Sequence, residues 1–265
     1  MQSSAFISDK AIVQTRAIGS HATIHEFAII RDDVRIGDHV VIHPHVVIES
    51  GVTIGNHVEI FPGAYIGKAP KGAGALTRKP LYEKKIVIGD HSSIGTHAVI
   101  YYDVTIGKDT LIGDGASLRE QVTIGDYSII GRYVTANYNV AIGNHVKIMD
   151  HTWLAGNMVI GNDVFISGCV GTANDNSMGK ASYKEEQVVG PRIEDGAAIG
   201  LGALLLPNIE IGCGAIVGAG AIVTTDIPNH TLWYGNPARC KGYICHCGEE
   251  RDVNLPCKKC NLDLS

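Results

Sequence analysis

Aromatic side chains are scarce in this chain of 265 residues, at 6% of the sequence, whereas 32 glycines and a 45% hydrophobic share stand out. An ordinary globular core takes much of its buried area from aromatic residues, so this composition favours a repetitive β structure. Basic residues do not predominate either, because the formal net charge is -5 and the pI is about 6.2. This balance argues against a general nucleic-acid or membrane-surface binder.

Long apolar runs are missing as well. No run approaches the roughly 20 residues of a membrane span, and the start MQSSAFISDK lacks the basic-then-apolar pattern of a secretory signal. Cys169 and Cys213 are isolated, and the other cysteines crowd between Cys240 and Cys260, which is unlike a secreted disulfide framework. We therefore expect a soluble cytoplasmic protein with no nucleic-acid or membrane partner.

An aliphatic residue, usually isoleucine, recurs every six positions. The frame runs from Ile12 to Ile66, from Ile88 to Ile166 and from Ile193 to Val223. A period of six is compatible with the two-residue alternation of strands, broken by one bend per hexad. Glycine, Asn and Asp in the remaining positions allow tight corners. The pattern predicts a coiled all-β solenoid in which aliphatic side chains stack inside, rung on rung.

With this repeat the sequence resembles the hexapeptide-repeat acyltransferases over residues 11–240. The resemblance implies a left-handed parallel β-helix over residues 1–228, with three hexads to each triangular coil and about ten coils. It also implies homotrimers with active sites between subunits. Residues 229–265 then form a C-terminal extension.

Two segments interrupt the frame, at residues 67–87 and 172–192. The first is rich in cations, including Lys71 and Arg78, and such side chains pair well with phosphate. With three hexads to a coil, the two breaks lie five whole coils apart. We therefore expect both loops to leave the same edge, about 24 Å apart along the axis, and to form a binding face. A solvated loop or a subunit clamp is the alternative for the first loop.

Polar residues line that edge between the loops. They are Asp103, Gln121, Asn139 and Asn157, with Asp175 next in the second loop and Glu120 and Tyr138 alongside. These corners depart from the usual Ile-Gly-Asp or Ile-Gly-Asn, and departures from a local rule are where functional sites are expected. We interpret the ladder as a sugar site; ordinary corner residues are the alternative.

His151 differs from the other histidines. Most of these occupy a repeated corner slot, as His39 and His57 do, whereas Met-Asp precedes His151 in place of Gly-Asp. Its coil position puts it on the adjacent edge. Because histidine is the usual general base near neutral pH, His151 is a candidate catalytic residue, with packing or a corner hydrogen bond as the alternative.

The chain closes with YGNPARCKGY, after a stretch of small side chains. This segment resembles the closing signature of the hexapeptide acyltransferases, which lies where coenzyme A binds. The resemblance assigns Ala219, Arg239 and Lys241 to the acyl-CoA co-substrate.

The tail carries Cys245, Cys247, Cys257 and Cys260. Its C-x-C and C-x2-C pairs suit a tetrahedral structural zinc ion, with His246 as a substitute ligand and free thiols as the alternative. A small metal knuckle here would cap the end of the solenoid, which otherwise exposes strand edges.

The segments HPHVVIESGVTIGNHVEIFPGAYIGKAPKG and VGTANDNSMGK resemble N-acetyltransferases of nucleotide-linked 3-amino-3,6-dideoxyhexoses, which serve surface polysaccharide and O-antigen biosynthesis. The resemblance implies transfer of an acetyl or other acyl group from acyl-CoA to the sugar amine, with a dTDP sugar favoured and Asn139 and Asn157 positioning it. Two rivals stay open: a zinc lyase of the carbonic anhydrase type, for which His97 and His151 are a partial match, and a non-catalytic scaffold.

Overall fold

Short β-strands follow one another along nearly the whole chain in the computed structural model, which describes residues 5–72, 78–180, 184–245, 247–251 and 259–260. In chain order the strands are β1 Phe6–Ile7, β2 Ile12–Val13, β3 Ala17–Ile18, β4 Thr23–Ile24, β5 Ile29–Ile30, β6 Arg35–Ile36, β7 Val41–Ile42, β8 Val47–Ile48, β9 Val52–Ile54, β10 Glu59–Ile60, β11 Tyr65–Lys68, β12 Ile86–Ile88, β13 Ser93–Ile94, β14 Val99–Tyr101, β15 Val104–Ile106, β16 Leu111–Ile112, β17 Ser117–Leu118, β18 Thr123–Ile124, β19 Ile129–Ile130, β20 Thr135–Ala136, β21 Ala141–Ile142, β22 Lys147–Ile148, β23 Trp153–Leu154, β24 Val159–Ile160, β25 Phe165–Ile166, β26 Gly171–Thr172, β27 Arg192–Ile193, β28 Ala198–Ile199, β29 Leu204–Leu205, β30 Glu210–Ile211, β31 Ile216–Val217, β32 Ile222–Val223, β33 Thr231–Tyr234, β34 Arg239–Ile244 and β35 Glu250–Arg251. A single turn of 3-10 helix, Glu185–Gln187, interrupts the strands of the described chain.

Each strand of the solenoid pairs in parallel with the strand three places later, which produces three sheets of 14, 11 and 10 strands. The pairing keeps like residues together: Ile42 lies opposite Ile60, and Ile60 opposite Ile94. The 11-stranded sheet contributes one strand per turn, so the coil has about eleven turns where the hexad count predicts about ten. The predicted all-β parallel solenoid is confirmed.

The inward aliphatic residues form the core. Ile30, Ile66 and Ile130 are fully buried, as are nearly all residues at this position of the hexad. The frame predicted to start at Ile12 is wrong by one residue, because Ile12 is 54% exposed and Val13 lies opposite Ile30. The first turn is one residue shorter than the others, and the regular spacing begins at Ile18.

Contact with the next turn explains the Gly-Asp and Gly-Asn pairs that follow many of the core residues. A Cβ atom on Gly37 would lie 2.6 Å from the backbone of Gly55 in the next turn, so a side chain has no room there. The side chain that follows makes a bond between turns: the N–H of Asp38 donates to Asn56 Oδ1 at 2.9 Å, and the N–H of Asn56 donates to Asp90 Oδ1 at 2.7 Å. Corner side chains thus replace the backbone bonds that strands form elsewhere.

The next residue of each corner has a left-handed backbone. His39 and His57 have φ of 56° and 57°, and their rings stack with centroids 4.7 Å apart and planes 4° apart. His91 continues this stack, also at 4.7 Å. The repeated histidines are therefore structural corner residues, as predicted. They define the histidine edge, the corners that follow the 10-stranded sheet.

Both long loops leave the corners that follow the 11-stranded sheet, which we call the loop edge. The first loop, residues 69–85, follows β11, and the second, residues 173–191, follows β26. Between β11 and β26 the sheet order takes five steps, so the predicted common edge is confirmed. The first loop is shorter than the predicted break because β12 begins at Ile86.

The C-terminal extension continues the solenoid. Strand β33 pairs in parallel with β31, and β34 and β35 then add antiparallel strands to the same 14-stranded sheet. Strands β33, β34 and β35 therefore share a sheet with the coil. Among the described residues, no helix has the length and apolar character to cross a membrane.

The left-handed corners predict a substitution effect at Asp109, an exposed corner residue with φ of 53°. Asp109→Val should destabilise the fold by about 1–2 kcal/mol, because a β-branched residue tolerates this conformation poorly. Asp109→Gly should change stability little. The measurement is the denaturant midpoint of both variants; equal midpoints would show that the corner conformation does not limit stability.

Candidate active site on the loop edge

The polar ladder predicted from the sequence lies on the loop edge. Gln121, Asn139 and Asn157 occupy left-handed corners of successive turns, with φ of 64°, 54° and 63°. Asn139 Nδ2 donates to Asn157 Oδ1 at 2.9 Å, and the N–H of Gln121 donates to the carbonyl of Asp103 at 2.9 Å. Four consecutive turns therefore present hydrogen-bonding side chains on one line.

The first loop reaches this ladder through Arg78. Its Nη1 donates to Glu120 Oε1 at 2.6 Å, and its guanidinium lies 3.6 Å from the centre of the Tyr138 ring. Glu120 is fully buried. A buried carboxylate is costly unless it is paired and hydrogen-bonded. Glu120 therefore anchors the first loop to the ladder, and its carboxylate faces arginine instead of solvent.

Arg119, Tyr101 and Lys68 join this cluster. Lys68 is one of the cations of the first break, whereas Arg119 and Tyr101 were not predicted as site residues. Arg119 donates to both oxygens of Glu120 at 3.2 Å, and its guanidinium lies 5.8 Å from the Tyr101 ring. Lys68 Nζ lies over the same Tyr101 ring, 5.0 Å from its centre. A signal was present, since Tyr101 and Arg119 stand where glycine usually follows the core residue.

The second loop contacts the lower end of the ladder. Asn157 Nδ2 donates to the carbonyl of Val188 at 2.6 Å, and Asn174 Nδ2 donates to the carbonyl of Gly156 at 3.1 Å. The carboxylate of Asp175 accepts from the Ser177 hydroxyl at 2.6 Å and from the N–H of Gly179 at 2.9 Å. These bonds, the Ser177 hydroxyl first, lower the pKa of Asp175. The Asp175 carboxylate thus stabilises the turn formed by residues 175–179.

A groove of about 430 Å³ opens beside Asn157. It is bounded by residues 189–191 at the end of the second loop, by Arg192 at the start of β27, and by Asn208, Ile209 and Glu210 of the next corner. Within the described residues, Asn157 is the member of the ladder that lines this groove. Lys71, the other cation predicted as a ligand contact in the first loop, is exposed.

His151 lies on a different edge, formed by the corners that follow the 14-stranded sheet. Successive corners there hold His151, Cys169, Gly202 and Gly220, so we call it the glycine edge. The His151 ring stacks on Tyr133 at 5.3 Å. His151 and Asn157 stand at opposite ends of the side formed by β23. One subunit therefore does not bring them together.

The residues assigned to acyl-CoA lie at the lower end of the glycine edge. Ala219 is an exposed corner residue between Gly218 and Gly220. The N–H of Gly218 donates to the carbonyl of Trp233 at 2.7 Å, which places β33 directly on this corner. Arg239 lies opposite Tyr234 in the antiparallel pair, and Lys241 Nζ lies 5.4 Å from the Tyr234 ring. Ala219, Arg239 and Lys241 therefore share one end of the molecule.

Three of the predicted metal ligands converge. The sulfur atoms of Cys245, Cys247 and Cys260 lie within 4.8 Å of one another. Cys257 and His246 lie outside the described residues. Among the described residues, no other set of three histidine, cysteine or acidic side chains lies close enough together to share a metal ion. His97 and His151 do not form such a group within one subunit.

Comparison with known proteins identifies the repeat. The profile of the family described as "Bacterial transferase hexapeptide (six repeats)" matches residues 17–50, 33–68 and 103–137. The matched segments carry the hexapeptide repeat that the periodicity predicts.

Particular relatives match parts of the chain. A dTDP-3-amino-3,6-dideoxy-alpha-D-galactopyranose 3-N-acetyltransferase of Aneurinibacillus thermoaerophilus is 51% identical over 55 residues, which cover 21% of this chain and 29% of that protein. Serine acetyltransferase 4 of Arabidopsis thaliana is 42% identical over 65 residues, 24% of this chain and 17% of that protein. The matches thus span less than a third of the length of these curated relatives.

A solved structure resembles the chain over most of its length. UDP-N-acetylglucosamine O-acyltransferase of Moraxella catarrhalis aligns with a TM-score of 0.51 and 22% identity, covering 89% of this chain and 74% of that one. At this identity the similarity concerns the fold, and it agrees with the solenoid described above.

The contact between Arg78 and Glu120 predicts that the first loop depends on one side chain. Arg78→Ala should accelerate amide hydrogen exchange in residues 78–85 about tenfold or more, because a hydrogen bond to a charged group contributes about 1.5–3 kcal/mol. Hydrogen–deuterium exchange mass spectrometry measures the effect. Lys79→Ala, which changes the exposed neighbouring cation, is the matched control. Equal acceleration in both variants would contradict an anchoring role for Arg78.

Proposed function

We propose that this protein is a coenzyme A-dependent N-acyltransferase that acetylates the amino group of a nucleotide-linked 3-amino-3,6-dideoxyhexose. The observation that carries the proposal is the convergence of two loops on one polar ladder, through Arg78 above and Val188 below. The similarity to a dTDP-amino-sugar acetyltransferase supports the acceptor class. Such a product serves the synthesis of surface polysaccharide.

The ladder supplies the groups that orient an amino sugar. Asn139 uses its N–H to reach Asn157, and Asn157 uses its own N–H to reach Val188. Asn139 is exposed, so its side-chain Oδ1 can accept from a hydroxyl or amine, and Gln121 and Asp103 offer further polar atoms on the turns above. The cations of the first loop, Lys71 among them, suit the diphosphate of a nucleotide sugar.

The reaction is aminolysis of a thioester. The neutral amine attacks the thioester carbonyl carbon, and the C–S bond breaks as the tetrahedral intermediate collapses. The amine proton ends on the departing thiolate, so the products are an amide and coenzyme A. Holding the two substrates together supplies much of the rate enhancement. A side-chain base such as His151 contributes about 10²–10⁴-fold where one acts.

The separation of the two edges leads to a subunit arrangement. The acyl-CoA candidates Ala219, Arg239 and Lys241 lie along the glycine edge with His151, whereas Asn139 lies on the loop edge. His151 and Asn157 are six positions apart, and a segment of that length spans at most roughly 20 Å. A homotrimer can bring the acyl-CoA site and the sugar site together. Threefold symmetry can set the glycine edge of one subunit against the loop edge of its neighbour.

The acceptor can be tested against its rivals directly. Thiol release from acetyl-CoA is followed with dTDP-3-amino-3,6-dideoxyglucose, its galacto epimer, a UDP-amino sugar and L-serine as separate acceptors. Serine is included because a serine acetyltransferase is among the similar proteins. We expect release with a dTDP-amino sugar. Binding of coenzyme A without release for any dTDP-amino sugar would overturn the acceptor class, and failure to bind coenzyme A would favour a scaffold.

Variants separate positioning from base catalysis. Asn139→Ala and Asn157→Ala should lower kcat/KM about tenfold to a hundredfold by misplacing the amine. His151→Ala should lower kcat by about 10²-fold or more if it is the base. The matched control is Asn144→Ala, because Asn144 Nδ2 donates to Asn162 Oδ1 at 3.1 Å in the same kind of ladder on the histidine edge. A loss equal to that of Asn139→Ala would contradict the assignment of the loop edge.

A further inference from the structure

The end of β34 and the chain near residue 260 bring three cysteine sulfurs together. Cys245, immediately after β34, is 1% exposed, and Cys247 and Cys260 are partly exposed. The sulfur atoms of Cys245 and Cys260 are 3.4 Å apart, although 15 residues separate them in the sequence. Neither the coil nor the acyl-transfer chemistry requires this arrangement.

The backbone forms a tight turn around Cys245. Its N–H donates to the carbonyl of Glu249 at 2.9 Å, and its carbonyl accepts from the N–H of Gly248 at 2.8 Å. Gly248 has φ of 84°, a conformation that suits glycine. The turn returns the chain into β35, which pairs with β34. Cys247 thus lies in the turn of the β34–β35 hairpin, and Cys245 is the last paired residue before that turn.

The sulfur spacing agrees with shared metal coordination. Ligand sulfurs about 2.3 Å from one zinc ion in tetrahedral geometry lie about 3.8 Å from each other, and the three sulfurs here lie within 4.8 Å of one another. A disulfide requires about 2.05 Å and joins two sulfurs only. Thiolate sulfurs also select zinc over the hard cations that carboxylates bind.

We propose that Cys245, Cys247 and Cys260 hold one structural Zn²⁺, with Cys257 as the fourth ligand that the sequence spacing predicts. The ion binds the thiolate forms and releases their protons. Four protein ligands close the coordination sphere, so the site is structural. It ties the tail to the hairpin β34–β35, the last strands of the 14-stranded sheet. That sheet edge would otherwise stay open to pairing with another chain.

Metal analysis of the full-length protein tests the proposal. Protein purified with a reductant and without chelator should contain one zinc ion per chain by plasma mass spectrometry. Cys245→Ser and Cys260→Ser should lose the ion. The matched controls are Cys240→Ser, in β34 itself, and Cys213→Ser, both outside the trio, which should retain it. Zinc retained at full stoichiometry in Cys245→Ser would overturn the site.

A second measurement uses the unmodified chain, so it does not depend on whether the variants fold. Thiol alkylation followed by peptide mass spectrometry should leave Cys247 and Cys260 protected until a chelator is added, whereas the exposed Cys169 and Cys240 react throughout. Replacement by Co²⁺ should give the visible absorption of a tetrahedral thiolate complex. Labelling of Cys247 and Cys260 that ignores the chelator, or a Cys245–Cys260 disulfide found in place of metal, would overturn the proposal. Neither result bears on acyl transfer.

Discussion

Contact between one turn and the next holds this structure together. Each inward isoleucine lies on its counterpart in the next turn, and the strands on either side of the corner form parallel hydrogen bonds to that same turn. A turn has no other partner within the coil, so stability is nearly a sum over adjacent turns. Rigidity along the axis follows from the same constraint, because no turn can shift without breaking the stack on both sides.

The loops depend on this rigidity and add a contact of their own. Glu120 has no exposure, and its buried carboxylate would keep Arg119 as a partner but lose its shorter bond if Arg78 moved away. When the first loop packs on the coil, Arg78 therefore completes the pairing of the buried Glu120 carboxylate. Because Tyr138 packs under the same guanidinium, the conformation of the loop and the surface of the ladder are set together.

Much of this arrangement could be predicted from the six-residue period together with the three hexads per coil that the family resemblance implies. The common edge of both loops, the ladder from Asp103 to Asn157 and the adjacent edge of His151 all follow from counting hexads. The start of the frame could not, because Ile12 and Val13 are both aliphatic and either can point inward. The pairing of Arg78 with Glu120 joins residues 42 positions apart through a loop without periodicity. Asp175 looked like a further ladder member, but its own turn engages the carboxylate.

The corners also determine how such a molecule can vary. A loop inserted at a corner returns the chain to the coil at the position where it left. The length of the loop therefore does not change how the strands on either side pair. Changes in the span between the loops are different: they come only in whole turns of about 4.8 Å. A duplicated turn between Tyr101 and Gly156 would move the second loop one increment from the first while every outward side chain kept its direction. The distance between the two loops along the axis can thus change only in whole turns, whereas the side chain at each corner can change independently.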